Sequence, residues 1–280
     1  MDLICIFTFG RKNKQVTFNG LPNRLKNIVK FVVDYSEKEY FVRKYGIEKV
    51  IVIPNKLKGI SFARQYVLEK EANYRFIVFA DDDVQFSIRE NGTLNYSKGK
   101  DIINMFIEMK DWLLEKNVAI AGISMRGGNN RELADHKELT RAMDVYAFDR
   151  NKLIKENARF DRVKLMEDFD INLFMIERGY KNRVFYKYAI SQVHGRNAKG
   201  GCSIYRDNKL QEEAAKKLLS LHPNSVSLVQ RISKGQWGNM NTTEGGNSSR
   251  IDVKIKWQKA YLTGNRKFIT QKTFSAFLKK

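Results

Sequence analysis

The sequence predicts an α/β fold built on a mostly parallel sheet flanked by helices, with a basic C-terminal extension. Three observations predict it. Short, continuously apolar runs at Leu3 to Phe9, Lys49 to Ile53 and Arg75 to Ala80 have the length and composition of strands buried on both faces. Segments with helical apolar spacing lie between them, and strand-helix alternation at this spacing implies a doubly wound sheet. After residue 229, lysines and arginines outnumber acids 11 to 2.

Leu3 to Phe9 ends at Gly10 and opens the sheet. Leu25, Ile28, Val29, Val32 and Val33 recur at helical spacing and predict a helix from about Asn23 to Tyr35, followed by a second from Ser36 to Tyr45. Lys49 to Ile53 is the next strand, stopped by Pro54-Asn55. Ser61 is placed to cap a helix running to about Glu69, and Arg75 to Ala80 is the third strand. A loop rich in Asn and Gly is expected from Arg89 to Gly99, an amphipathic helix from Ile102 to Glu115, a fourth strand from Val118 to Ile123, and a loop at Gly127 to Asn130. Met143 to Phe148 suits an antiparallel strand, Lys152 to Asn157 a short helix, and Glu167 to Arg178 a longer helix closed by Gly179. Arg183 to Tyr188 and Ala189 to Val193 are strand-like and lead to His194. Beyond them come a charged helix from about Arg206 to Leu221, a strand near Val226 to Ile232, and a Gly/Asn/Ser/Thr-rich stretch from Gly235 to Ser249 that is expected to be mobile.

The chain has 280 residues, 42% hydrophobic and 12% aromatic, enough for a sizeable core and against general disorder. Its apolar runs fall far short of the roughly 18 to 20 residues that cross a bilayer. Asp2 and the Arg11-Lys12-Asn13-Lys14 segment do not make a signal peptide. Cys5 and Cys202 alone argue against a disulfide scaffold or zinc ribbon, so a cytoplasmic location is expected. The formal charge of +20 points to an acidic partner. Basic residues near the C-terminus alternate with Trp237, Trp257, Tyr261, Phe268, Phe274 and Phe277, which suits phosphate contacts supplemented by stacking. Nucleic acid is the leading partner, against a membrane surface or a merely solvated basic face.

Asp81-Asp82-Asp83 is the sharpest chemical feature. Three adjacent carboxylates raise one another's pKa without a counter-charge. Mg²⁺ or Mn²⁺, bound through oxygen and leaving positions open for phosphates, is a natural one. The end of a parallel strand is also where ligands bind in open sheets; the alternative is an acidic turn or cap. Glu167-Asp168-Phe169-Asp170 opens a helix, whose positive dipole end favours ionised carboxylates, an arrangement also found at ordinary helix starts. His194 suits either a metal or a structural hydrogen bond, and Arg64 either solvent or a nucleotide phosphate.

Taken in order, Gly59-Ile-Ser-Phe-Ala-Arg-Gln65, Phe76-Ile-Val-Phe-Ala-Asp-Asp-Asp-Val84, Met166-Glu-Asp-Phe-Asp-Ile-Asn-Leu173 and Arg178-Gly-Tyr-Lys181 resemble nucleotide-sugar glycosyltransferases of the GT-A (Rossmann-like) fold. The resemblance covers about residues 1 to 195. It implies a catalytic core over 1–195 carrying donor and metal sites, with 196–280 as a basic acceptor- or DNA-binding extension packed on it. It further implies that Asp81 contacts the nucleoside, with Asp82 beside it, and that Asp83 and His194 hold Mn²⁺ or Mg²⁺ with the donor diphosphate. Arg64 would help hold the donor, and Thr8, Phe9 and Arg11 would edge the nucleotide pocket. Asp168 matches the carboxylate that takes the acceptor hydroxyl proton in inverting members, with Glu167 beside it.

A strongly basic, disulfide-free member resembles the bacteriophage enzymes that sugar-coat hydroxymethylated cytosine in DNA. In particular it resembles those that add a second glucose from UDP-glucose to an alpha-glucosylated base. The expected acceptor is therefore double-stranded DNA with modified cytosine, and the expected product a β-linkage. A base-attached glucose projects into the major groove and is reachable without flipping, whereas hydroxymethylcytosine itself would cost a few kcal/mol to extrude. Trp237 is a candidate wedge. Direct action on hydroxymethylcytosine, another anionic polymer as acceptor, a metal-dependent nucleotidyltransferase or nuclease, and a non-catalytic DNA-binding module are the alternatives.

Overall fold

The apolar runs become neighbouring parallel strands. The computed structural model describes residues 1–56, 58–129, 134–193, 200–234 and 246–264. In it β1 (Leu3–Thr8), β2 (Val29–Asp34), β3 (Val50–Ile53) and β4 (Phe76–Asp81) lie parallel in the order β3-β2-β1-β4. β5 (Val84–Glu90), β6 (Thr93–Tyr96), β7 (Val118–Met125), β8 (His136–Glu138), β9 (Val145–Asp149) and β10 (Lys181–Gln192) extend the sheet to β4-β9-β7-β10-β5-β6, with β8 also on β10. β7 and β10 are parallel, while β9, β5, β6 and β8 run antiparallel to their partners.

The two-residue period of a strand sorts side chains onto two apolar layers. Ile4 and Ile6 of β1 join Phe31, Val78, Met105 and Phe106 on one face. Leu3 and Cys5 join Val32, Ile77, Phe79 and Phe148 on the other. The helix Gly99–Leu114 covers the first layer with Ile102, Met105, Phe106, Met109 and Leu113, an apolar stripe at helical spacing.

Several elements differ from the sequence reading. The helix expected from Asn23 to Tyr35 is a single turn, Asn23–Lys26, followed by β2. Val29, Phe31 and Val33 face one layer and Val32 the other, so this stretch is a strand buried on both sides and rich in β-branched residues. The loop expected between Arg89 and Gly99 contains the β5–β6 hairpin, turned by Asn91-Gly92 with both residues at positive φ (50° and 79°), the signature of a two-residue hairpin turn. Ser61 does not cap its helix. Ile60–Lys70 starts from Gly59 at φ 98°, and Ser61 is buried inside it. The two short strands expected between Arg183 and Val193 are one, β10, with register shifts.

Towards the C-terminus, the helix Asn208–Leu221 packs on a hairpin of β11 (Val226–Ser233) and β12 (Ser248–Ile255), and residues 257–264 are helical. A third apolar cluster joins these elements to the helix Glu167–Ile176. Met166, Leu173 and Ile176 meet Ala214, Ala215, Leu218, Val226, Val253 and Ala260 in it. Buried His222 fastens the same junction, with Nε2 2.9 Å from Asp170 Oδ1 and Nδ1 2.9 Å from Glu177 Oε2. Arg162 grips Asp170 bidentately. No helix among the described residues is long and apolar enough to cross a membrane.

Candidate active site

The carboxyl ends of β1 and β4 are adjacent, and this adjacency builds the first half of the site. Thr8 Oγ1 donates to Asp82 Oδ2 at 2.6 Å and accepts from Gln15 Nε2 at 2.9 Å. Arg11 Nη1 bridges Asp82 Oδ1 (2.8 Å) and Asp83 Oδ2 (2.9 Å). Arg11 therefore supplies part of the counter-charge that the aspartate run requires. Thr17 ties down the turn that follows: its Oγ1 donates to the Asp81 carbonyl at 2.5 Å and accepts from Val84 N at 2.9 Å.

Burial pushes the Asp82 carboxyl upward, partly offset by Thr8 and Arg11. Asp81 is raised well above the usual carboxylate range, first by burial and then by the neighbouring charge of Asp144. Asp83 is 3% exposed, and its Oδ1 is buried with no hydrogen-bond partner among the described residues. An orphaned carboxylate oxygen beside two further carboxylates fits a hard divalent cation, which takes oxygen ligands. Elsewhere among the described residues, as here, no set of three or more His, Cys, Asp or Glu side chains is already arranged around one metal position. His194, the expected further ligand, lies outside the described residues, as does Trp237.

The second half is the start of the helix Glu167–Ile176. Its N-cap, Met166, sits in the left-handed region at φ 64°, an uncommon backbone for a non-glycine residue and one that clusters at functional sites. Glu167 Oε1 is 2.5 Å from Arg64 Nη1. Arg64 Nη2 reaches Asp81 Oδ1 at 3.4 Å, and the guanidinium lies 5.6 Å from the centroid of Phe7 and 5.4 Å from that of Tyr146. Burial opposes the charge of Arg64, but Tyr146, Glu167, Asp81 and Asp168 hold it protonated above its ordinary value. Burial also raises Glu167, against the pull of Arg64. Arg64 thus braces β4 against the Glu-Asp helix. Asp168 Oδ2 accepts from Arg141 Nε at 2.8 Å, with Nη2 at 2.6 Å, and Oδ1 accepts from Phe169 N at 2.9 Å.

The sequence reading did not single out Asp144, Arg141, Tyr146 or Gln15. Asp144 precedes β9 with φ 57°, and its carbonyl accepts from Asp81 N at 3.0 Å. Burial, with Asp168 and Asp83 nearby and Arg141 and Arg64 opposing, raises its carboxyl to about 6. Tyr146 is fully buried, and its hydroxyl has no partner among the described residues. An acidic residue at the start of the expected strand Met143 to Phe148 was the available signal for Asp144; nothing local marks Arg141. Phe9, 37% exposed, and Ile204, 52% exposed, leave apolar surface beside Gly10. There Gly201 N donates to the Phe9 carbonyl at 2.8 Å, and Gly200 sits against Arg11.

The chain matches the model of the family described as TET-Associated Glycosyltransferase over residues 3–201. It is 25% identical over 208 residues to the beta-glucosyl-HMC-alpha-glucosyl-transferase of Enterobacteria phage T2, covering 67% of this chain and 69% of the phage protein. Identity and coverage are the same for the phage T6 protein of that name. Its fold is similar to that of a mannosyltransferase from Pyrobaculum calidifontis in complex with GDP-Man and Mn²⁺, at TM-score 0.50 and 12% identity over 78% of this chain and 62% of that one. GalNAc-T7 with UDP, GalNAc and Mn²⁺ is also similar, at TM-score 0.51 and 9% identity over 79% of this chain and 47% of that one.

Proposed function

This chain belongs to the TET-associated glycosyltransferase family, and we propose that it is a metal-dependent, inverting enzyme moving glucose from UDP-glucose to a hydroxyl on modified DNA. The observation that carries the reading is Arg64, which joins Asp81 at the end of β4 to Glu167 at the start of the next functional helix. Two carboxylate motifs 86 positions apart are thereby joined through one guanidinium. One has the chemistry to receive a diphosphate and the other that of a base.

On the donor side, Asp83 offers its unpartnered oxygen to Mn²⁺ or Mg²⁺, with His194 as the further proposed ligand. When bound, such an ion neutralises charge developing on the leaving diphosphate. Thr8 and Arg11 hold Asp82 and Asp83 in place, while Phe9 presents an apolar face to the nucleoside. Arg64 keeps a positive charge beside Asp81. On the acceptor side, Asp168 accepts the proton of the attacking hydroxyl, for which it needs only to be ionised and within hydrogen-bond reach. Attack opposite the leaving group inverts an α-linked donor to a β-linked product.

The acceptor is proposed as the glucose of alpha-glucosyl-hydroxymethylcytosine. Two things support this: the phage relatives' names and a formal charge of +20 that suits a polyanion. Direct transfer to hydroxymethylcytosine is the second reading, favoured by the same charge. The test is mass spectrometry of nucleosides after incubation with UDP-glucose, Mn²⁺ and duplexes carrying cytosine, hydroxymethylcytosine or alpha-glucosyl-hydroxymethylcytosine. One added hexose on the glucosylated base is expected; a gain confined to hydroxymethylcytosine selects the second reading, and no gain on either modified duplex contradicts both.

A further inference from the structure

We propose that Arg141 is the positioning residue of Asp168, and that the C-terminal helix over 257–264 sets it through a stacked column of Trp257, Phe169 and Arg141. The inference rests on the reading of Asp168 as the base. Arg141 places both Nε (2.8 Å) and Nη2 (2.6 Å) on the single oxygen Oδ2. Phe169 N occupies one site on Oδ1. A carboxylate accepts about four hydrogen bonds, so these three leave one site, on Oδ1, for an incoming hydroxyl. The base is thus aimed as well as charged.

What holds Arg141 is an aromatic face. Its guanidinium lies 3.8 Å from the centroid of the Phe169 ring, and Phe169 in turn stacks on Trp257 at 6.3 Å and 12° between planes. Trp257 opens a helix whose Ala260 is buried in the same cluster as Met166 and Leu173. The column therefore runs from the C-terminal hairpin region to the reaction centre. A planar guanidinium is the side chain such a column can orient; an ammonium is not.

The charge balance around Asp168 assigns Arg141 the same task. The acidic groups around it are Glu167, Asp144 and the Tyr146 phenol, and the nearby cations are Arg64, Arg141 and, acting on Glu167, Arg206. Arg64 is already engaged with Glu167 and Asp81. Arg141 is the arginine in ion-pair contact with Asp168, and its side chain is 36% exposed where that of Asp168 is 9% exposed. Arg141 is thus the more solvent-facing partner of the pair.

The experiment compares kcat and donor KM for wild type, Arg141→Ala, Arg141→Lys, Phe169→Leu, Phe169→Tyr, Trp257→Ala and Asp168→Asn. Binding of UDP with Mn²⁺ to each variant reports an intact donor side. Arg141→Ala is expected to lower kcat about ten- to a hundred-fold, the scale of a misplaced reacting group, with donor KM within two-fold. Arg141→Lys keeps the charge but does not restore kcat, Phe169→Tyr keeps kcat near wild type, and Phe169→Leu and Trp257→Ala each lower kcat several-fold. Unchanged kcat in Arg141→Ala, with Asp168→Asn inactive, overturns the positioning role alone. Normal kcat in Trp257→Ala overturns the link to the C-terminal helix. Full activity of Asp168→Asn overturns the base assignment and this inference with it.

Discussion

The two carboxylate groups, proposed as the donor side and the acceptor side, are fastened differently. At the end of β4, the aspartates are held by the neighbouring strand end: Thr8 and Arg11 follow directly from a β1–β4 ladder that pairs Phe7 with Asp81. At the start of the helix Glu167–Ile176, the carboxylates are held by side-chain ion pairs, with Arg64 on Glu167, Arg141 on Asp168, and Arg162 and His222 on Asp170. The first group rests on a backbone ladder as well as on the Arg11 ion pairs, whereas the second rests on ion pairs from distant chain segments. The helix carboxylates should therefore be the more sensitive of the two to loss of a remote side chain.

The largest effect is expected from Asp83→Asn, which removes the unpartnered oxygen proposed for the metal. Loss of several kcal/mol of transition-state stabilisation corresponds to about 10³-fold or more in transfer rate. Because Asp83 also pairs with Arg11, thermal unfolding measured on the same variant separates lost folding from lost transfer; unaltered transfer would break the donor half of the comparison. Asp168→Asn should cost about 10²- to 10⁴-fold in kcat, the usual worth of a positioned base, with donor KM little changed.

His222→Ala breaks the buried pair behind the acceptor helix and should cost about 3 to 5 kcal/mol of unfolding free energy, measured in urea, because Asp170 keeps its charge and loses a partner. The pH dependence has a definite sign. Burial opposes charge on both groups, yet hydrogen bonds to Asp170 and Glu177 hold His222 above its ordinary value, so its contribution is full below roughly pH 6.5 and fades as pH rises through the folded value. Asp170 is lowered by His222 and Arg162, so its contribution is full above roughly pH 4 and fades as pH falls through the folded value. Wild type and His222→Ala should differ most near pH 5.5 and less near pH 9. A difference that does not vary with pH would mean the pair is not ionic.

The smallest effect is a steric one on the donor side. Gly200 has φ 110°, and a Cβ there would lie 2.7 Å from Arg11 Cγ and 2.8 Å from the Phe9 carbonyl. Gly200→Ala should displace Arg11 and raise donor KM about ten-fold, from roughly 1 to 3 kcal/mol of strain. An unchanged donor KM would show that Arg11 does not shape the pocket.

Much of the donor side was legible in the sequence because it is built from uninterrupted features. β1, β3, β4 and β7 are apolar runs, and the aspartates end one of them. β2 misled because Leu25 to Val33 satisfies helical spacing while its residues are buried on both faces of a sheet, and burial on both faces erases the alternation that marks a strand. The β5–β6 hairpin was readable from Asn91-Gly92. The acceptor side was legible only at Glu167-Asp168. Arg141 lies 27 positions from Asp168, and His222 lies 52 from Asp170, so their roles arise from packing that no local pattern encodes.

The most direct test of the proposed division between donor and acceptor carboxylates measures binding and transfer on the same variants, using UDP-glucose, Mn²⁺ and a duplex carrying alpha-glucosyl-hydroxymethylcytosine in single turnover. Asp83→Asn is expected to lose Mn²⁺-dependent donor binding together with transfer, while Asp168→Asn binds donor as wild type does and transfers at least about a hundred-fold more slowly. Donor binding lost equally in both variants, or hexose transfer at the wild-type rate in Asp168→Asn, would contradict the account.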